Sequence, residues 1–259
     1  MPLRAPLLAV LLTALGAQTA RAGEAACWFE NGAVVIAAEV GGVAGDWLLD
    51  PSAPHTLLHE TRAQMEGLPA VFPASARFAG VSLAGLEVTV ADLDGRAPGF
   101  ATPIAGVIGA DVLGRFVVDI DFAPCKVRFA TGAGRTPGRG TQMLRLATAG
   151  GIPVLTAAVS DDRRARQGLF AIDFSSRASV RLTAADFRPP SKAASEAPRG
   201  IAPGRLRALS MGGRLFEETS AALAPDLDQA LAGALGTDLW SRWRIRLDIG
   251  RGRLWLSPG

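Results

Sequence analysis

The chain has 259 residues, 49% of them apolar, 20% charged and 6% aromatic, with no tyrosine. The apolar share excludes a disordered chain, and 30 glycines and 17 prolines without a triplet period exclude collagen. The formal charge is only +3, and no basic stripe suggests a nucleic-acid partner, so the length frames one large domain or two of roughly 120 residues.

Residues 1–22 read as a secretory signal peptide: Arg4 gives the positive start, residues 7–15 the apolar run, and Ala20-Arg21-Ala22 the cleavage site. The run is too short to span a bilayer. Cleavage would remove Arg4 and Arg21 and no acid, which takes away two of the three net charges. The expectation is a periplasmic or secreted protein with no membrane anchor after cleavage. A lipoprotein attached through Cys27 is the anchored alternative, against which stands Glu24, where such a signal wants a large apolar residue. In an oxidising compartment Cys27 and Cys125 are expected to pair, the alternative being two separate buried thiols.

An internal repeat organises the rest. Residues 34–40 alternate as a half-buried strand does, and residues 47–53 then run Trp-Leu-Leu-Asp-Pro-Ser-Ala. Residues 81–93 suggest short strands around a glycine turn. Residues 107–129 hold Val107-Ile108-Gly109-Ala110-Asp111, then Arg115-Phe116, then a terminal hairpin through Asp121. The same order returns in the second half. Residues 154–159 alternate, residues 170–176 read Phe-Ala-Ile-Asp-Phe-Ser-Ser, and residues 209–223 again read as strands. Ala234-Leu235-Gly236-Thr237-Asp238 precedes Arg242-Trp243 and a hairpin through Asp248. The predicted organisation is a signal peptide at 1–22, lobes at 23–130 and 151–259, and a linker at 131–150, all mainly β with short helices. Residues 187–207, with four prolines and no apolar period, read as an exposed, mobile insertion.

An apolar strand, an aspartate, a short turn and, some 60 residues on, apolar-apolar-Gly-x-Asp resembles the retropepsin-like and pepsin-like aspartic peptidases, in particular the bacterial exported members with two lobes in one chain. Leu49-Asp50, Val107-Ile108-Gly109, Ile172-Asp173 and Ala234-Leu235-Gly236 carry the resemblance, with His55-Thr56-Leu57-Leu58 after the first turn. It implies an all-β fold of two homologous lobes around a cleft, with Asp50 and Asp173 as the catalytic pair. One carboxyl would stay protonated while the other takes a proton from a shared water that attacks a peptide bond. The implied partner is a peptide or protein substrate, with no cofactor and no metal. The sequence leaves the oligomeric state open.

The turns depart from the family pattern of Asp, Thr or Ser, Gly, small residue. Pro51 and Phe174 lack the hydroxyl that ties the two turns together, and Pro51 also lacks an N–H. Ser52 and Ser175 replace glycine, while Ala53 and Ser176 keep the small position. These four residues are expected to support the turns. No Gly-Gly pair between residues 60 and 80 marks a flap, and no tyrosine is available to it. Two functions follow: an aspartic endopeptidase, or a degenerate pseudo-peptidase that holds a peptide or partner protein in the cleft.

The remaining signals read as scaffold. His55 and His59 have i, i+4 spacing, but Thr56 stands where the zinc-peptidase motif needs Glu. Asp111 and Asp238 are expected to cap the helices that follow. Arg115 and Arg242 are expected to pair with Asp121, Asp248 or sheet-edge carbonyls. Trp240, Trp243 and Trp255 are expected to pack in the core and hairpin.

Overall fold

Apolar residues alternating over short runs, broken by glycine turns, commit most of the described residues to strands. The computed structural model describes residues 23–96, 99–132, 138–161, 164–183, 204–224, 227–228 and 230–259. The expected signal peptide, residues 133–137 of the expected linker and residues 187–203 of the expected insertion lie outside the described residues.

The first lobe begins with β1 (Gly23–Ala26), β2 (Trp28–Glu30), β3 (Ala33–Val40), β4 (Val43–Leu49) and β5 (Leu57–His59). Helix α1 (Glu60–Glu66) follows, then β6 (Val71–Phe78), β7 (Val81–Ala91), β8 (Ile104–Ile108), α2 (Ala110–Leu113), β9 (Val117–Phe122) and β10 (Cys125–Ala130). Next come β11 (Gln142–Arg145), β12 (Ala147–Ala149), β13 (Ile152–Ser160), β14 (Ala165–Ile172) and β15 (Val180–Leu182). The chain closes with β16 (Gly204–Met211), β17 (Arg214–Leu223), β18 (Gly233–Leu235), α3 (Thr237–Trp240), β19 (Trp243–Asp248) and β20 (Arg253–Pro258).

Two seven-stranded sheets share one topology. The first runs β2-β3-β4-β8-β5-β7-β6 and the second β12-β13-β14-β18-β15-β17-β16, with β3–β6 and β13–β16 pairing in addition. The third sheet is a palindrome of the two halves, β1-β10-β9-β19-β20-β11, joined at its centre by antiparallel β9 and β19. The fold is therefore mainly β, with two similar lobes. The stretch read as a linker carries β11 and β12, and β11 mirrors β1 at the opposite sheet edge. Residues 204–207, read as part of a mobile insertion, begin β16.

Glycine sets the closest approaches. A Cβ on Gly106 of β8 would enter the Trp47 ring of β4, and one on Gly233 of β18 would enter the Phe170 ring of β14. Each central strand lacks a side chain where its neighbour presents a large ring, which lets the two backbones pair. Between residues 60 and 80, where the sequence shows no glycine-rich hairpin, the chain forms α1 and β6. Helix α1 is capped by His59, whose Nδ1 accepts from Thr61 N, and stopped by Gly67 at φ 65°. His59 Nε2 lies 3.1 Å from Asp94, which gives this histidine a polar partner of its own.

Cys27 and Cys125 form a disulfide across 98 residues. It joins the β1–β2 junction to β10, where Cys27 N also donates to Cys125 O at 3.1 Å. Among the described residues no helix is long and apolar enough to cross a membrane.

Asp111 and Asp238 do not cap α2 and α3. The N-caps are Gly109 and Gly236, neither of which makes a side-chain cap bond. A Cβ at either glycine would run into backbone carbonyls, of Ala53 and His55 in one lobe and of Ser176 and Ala178 in the other. The close approach excludes a capping side chain and displaces the aspartates into the first turn. Asp111 there accepts from Thr56 Oγ1 at 2.9 Å, and Asp238 from Ser220 Oγ at 3.2 Å. Arg115 takes the carbonyl option, donating to Ala84 O and Gly85 O, while Arg242 donates to Asp238 O and lies over the Phe216 ring. Trp240 is buried and donates to Leu235 O, and Trp243 meets Phe216 edge-on. Trp255 is half-buried and lines an open groove.

Candidate functional site

Both aspartates follow the fully buried ends of their strands. Trp47, Leu48 and Leu49 lead to Asp50, and Phe170, Ala171 and Ile172 lead to Asp173, all with no solvent exposure. The backbone around them repeats bond for bond. Asp50 N donates to Ile108 O at 3.1 Å and Asp173 N to Leu235 O at 2.9 Å. Ala110 N donates to Ala53 O, and Thr237 N to Ser176 O, both at 2.8 Å. The apolar-apolar-Gly stretch thus clamps each aspartate turn from beside it. Ser52 N donates to Asp50 Oδ1 at 2.9 Å and Ser175 N to Asp173 Oδ1 at 2.7 Å, so each serine supplies the amide for its own carboxylate.

The two carboxylates meet through one side chain. Ser175 Oγ donates to Asp50 Oδ2 at 2.7 Å and lies 3.0 Å from Asp173 Oδ1. The Oδ2 atom of each carboxylate faces an arginine. Arg96 Nη1 is 2.8 Å from Asp50 Oδ2, and Arg181 Nη1 is 3.0 Å from Asp173 Oδ2. The arginines come from unlike places: Arg96 from the loop after β7, Arg181 from the middle of β15. Their side chains remain 27% and 12% exposed, so the charges are covered on both sides.

Burial, then the charge of Asp50, push the Asp173 carboxyl above its ordinary range, while Arg181 and the Ser175 N–H pull against this. A hydroxyl donates one proton and serves one carboxylate oxygen at a time. Of its two contacts the one to Asp50 is shorter and the better placed to take the Ser175 proton. Asp173, Ser175 and Asp50 thus form one hydrogen-bonded chain with a guanidinium at each end.

The turns also touch across the lobes on one side only. Val34 N donates to Phe174 O at 3.1 Å, and Thr237 Oγ1 to Gly32 O at 2.6 Å. In the second lobe the position of Val34 is held by Pro153, which has no N–H to offer Pro51, and the position of Thr237 is held in the first lobe by Ala110. Phe174 is 1% exposed and packs into the main core. Ala53 is buried and Ser176 accepts from α3, so the four turn residues singled out in the sequence all lie at the turns.

Sequence reasoning missed Arg96 and Arg181. Arg181 lies eight residues after Asp173 on a strand otherwise apolar at Val180 and Leu182, a charged residue in an apolar run that signals a buried partner. Arg96 follows Asp92-Leu93-Asp94-Gly95, a stretch with the look of an ordinary surface turn, and carries no such signal.

The architecture is that of the two-lobed acid-protease fold. The chain is similar to the crystal structure of an aspartic proteinase from Irpex lacteus, with a TM-score of 0.57 over 92% of this chain and 97% of that one. The identity is 11%, a likeness of fold alone. No family model and no curated protein sequence matches the chain.

Proposed function

We propose that this chain is a non-catalytic acid-protease-fold protein that binds an extended peptide or a partner protein between its lobes. The observation that carries the reading is the Ser175 hydroxyl in hydrogen-bond contact with both carboxylates. An aspartic peptidase needs a water there, deprotonated by one carboxylate while the other hydrogen-bonds the substrate carbonyl. A side-chain hydroxyl fixed to the backbone cannot leave that place as water does. Arg96 and Arg181 support the same reading, because a guanidinium on each carboxylate weakens it as a base. With the dyad serving as a joint between lobes, the peptide-holding capacity of the fold is what remains for function. Export to the periplasm or the exterior belongs to this proposal and accords with the disulfide.

The test is a peptide library incubated with purified protein at mildly acid and neutral pH, with bound and free fractions read by mass spectrometry. Intact peptides retained by both wild type and Asp50→Asn are expected. Cleavage products that appear with wild type and vanish with Asp50→Asn would establish an endopeptidase and overturn the proposal.

A further inference from the structure

Away from the aspartates, the solvent face of the six-stranded sheet carries a groove of about 500 Å³ whose charges do not cancel. Strand alternation puts Leu254 and Leu256, Val127 and Phe129, and Ile245 and Leu247 into the core. The residues between them are left to line the outer face. Five cations and three carboxylates line this groove. Each carboxylate is already committed to one cation. Asp119 takes Arg246 through both oxygens, at 2.6 and 3.2 Å. Asp121 takes Arg244 at 2.9 Å, and Glu24 takes Lys126 at 3.1 Å.

Arg128 and Arg139 are left. Arg128 sits in register between Glu24 on β1 and Asp119 on β9, yet both of those carboxylates turn to other partners. Among the described residues neither Arg128 nor Arg139 has an ion pair or hydrogen bond. Two unmatched guanidiniums therefore face one concave space, beside the half-buried ring of Trp255. A guanidinium presents a planar fork of donors that fits phosphate or carboxylate oxygens in pairs. A groove of this volume is within the range of small-molecule sites.

We infer that this groove binds a small dianion, a phosphate monoester or a dicarboxylate, between Arg128 and Arg139, with Trp255 against its apolar part. The site stands independently of the reading given for the aspartates. It uses no residue of that joint and lies on a different sheet.

The experiment titrates phenyl phosphate and, separately, succinate into the purified protein, followed by calorimetry and by tryptophan fluorescence. Benzyl alcohol is the uncharged control. Saturable binding of at least one dianion is expected, with no binding of the alcohol. Arg128→Gln and Arg139→Gln should each weaken binding about tenfold, the loss of one charge-assisted pair of hydrogen bonds. Trp255→Leu should remove the fluorescence change on phenyl phosphate. Stronger binding of phenyl phosphate selects the phosphoryl source, and equal or stronger binding of succinate the dicarboxylate. Melting temperatures matching wild type show that the variants are folded. No saturation by either dianion up to about 10 mM, far weaker than a guanidinium fork should give, overturns the inference. Wild-type affinity in both arginine variants overturns it equally.

Discussion

In the first lobe the strand ending in Asp50 runs into Pro51 and Ser52, and in the second the strand ending in Asp173 runs into Phe174 and Ser175. The amides around the two aspartates match to within tenths of an ångström, but it is Ser175 whose hydroxyl crosses to the other carboxylate. The same contrast recurs at the sheet edges. Cys27 N donates to Cys125 O in one half and Leu146 N to Gly252 O in the other, yet only the first pair is bridged covalently. Backbone pairing follows from strand periodicity and glycine clearance, which both halves share. Side-chain ties depend on single residues, and there the halves have diverged.

That contrast can be broken first at its covalent tie. Replacing Cys27 and Cys125 together by serine frees a loop of 98 residues in the unfolded chain. The loss should be about 4 kcal/mol of stability, read from urea midpoints of the oxidised wild type and the double variant. A loss below about 1 kcal/mol would show that hydrogen bonding alone holds this edge, as it does at Leu146 and Gly252.

The arginines sharpen the comparison next. Arg181 is the more covered of the two, and its loss leaves Asp173 without its cation in a fully buried site. Arg181→Leu should cost about 2 kcal/mol, the cost of leaving a buried carboxyl oxygen without its hydrogen-bond donor. Arg96 is more exposed, so solvent screens its pair with Asp50. Arg96→Leu should cost about 1 kcal/mol. Equal losses would mean that the two ends of the joint are energetically alike despite their different origins.

Much of this was legible before any coordinates. The apolar-apolar-Gly stretch, the strand-Asp-turn stretch and their recurrence predict two like lobes, because close backbone approach leaves few residue choices at Gly109 and Gly236. The Cys27–Cys125 bond is legible as an expectation, from the oxidising compartment that a signal peptide at residues 1–22 would imply. The Ser175 bridge was legible only as a departure, since a serine in place of glycine says nothing of where its hydroxyl points. Arg96 was not legible at all. Its partner lies 46 residues away, and a surface turn carries no record of a buried contact. The strands β11 and β12 are hidden for a simpler reason: each has only three or four residues, and they follow residues 131–140, which are rich in glycine, arginine and proline.

The smallest expected effect concerns the proton in the joint. Burial and the charge of Asp50 raise the Asp173 carboxyl above its ordinary range, so the folded chain keeps a proton that the unfolded chain releases near about pH 3.9. Stability from this group is then fully present below that pH and is lost as pH rises through the folded value. Asp173→Asn keeps the shape, stays neutral and removes the titration. Urea midpoints of wild type and variant, measured from about pH 3.5 to about pH 7, should therefore show the variant gaining on wild type as pH rises. Titrations remote from the joint are common to both proteins and drop out of the difference, which then reports Asp173 together with its interaction with Asp50. The reverse trend, with the variant losing ground as pH rises, would mean that Arg181 outweighs burial and holds Asp173 ionised. In that case both carboxylates would carry charge, and the Ser175 hydroxyl would be left to satisfy two anions with one proton.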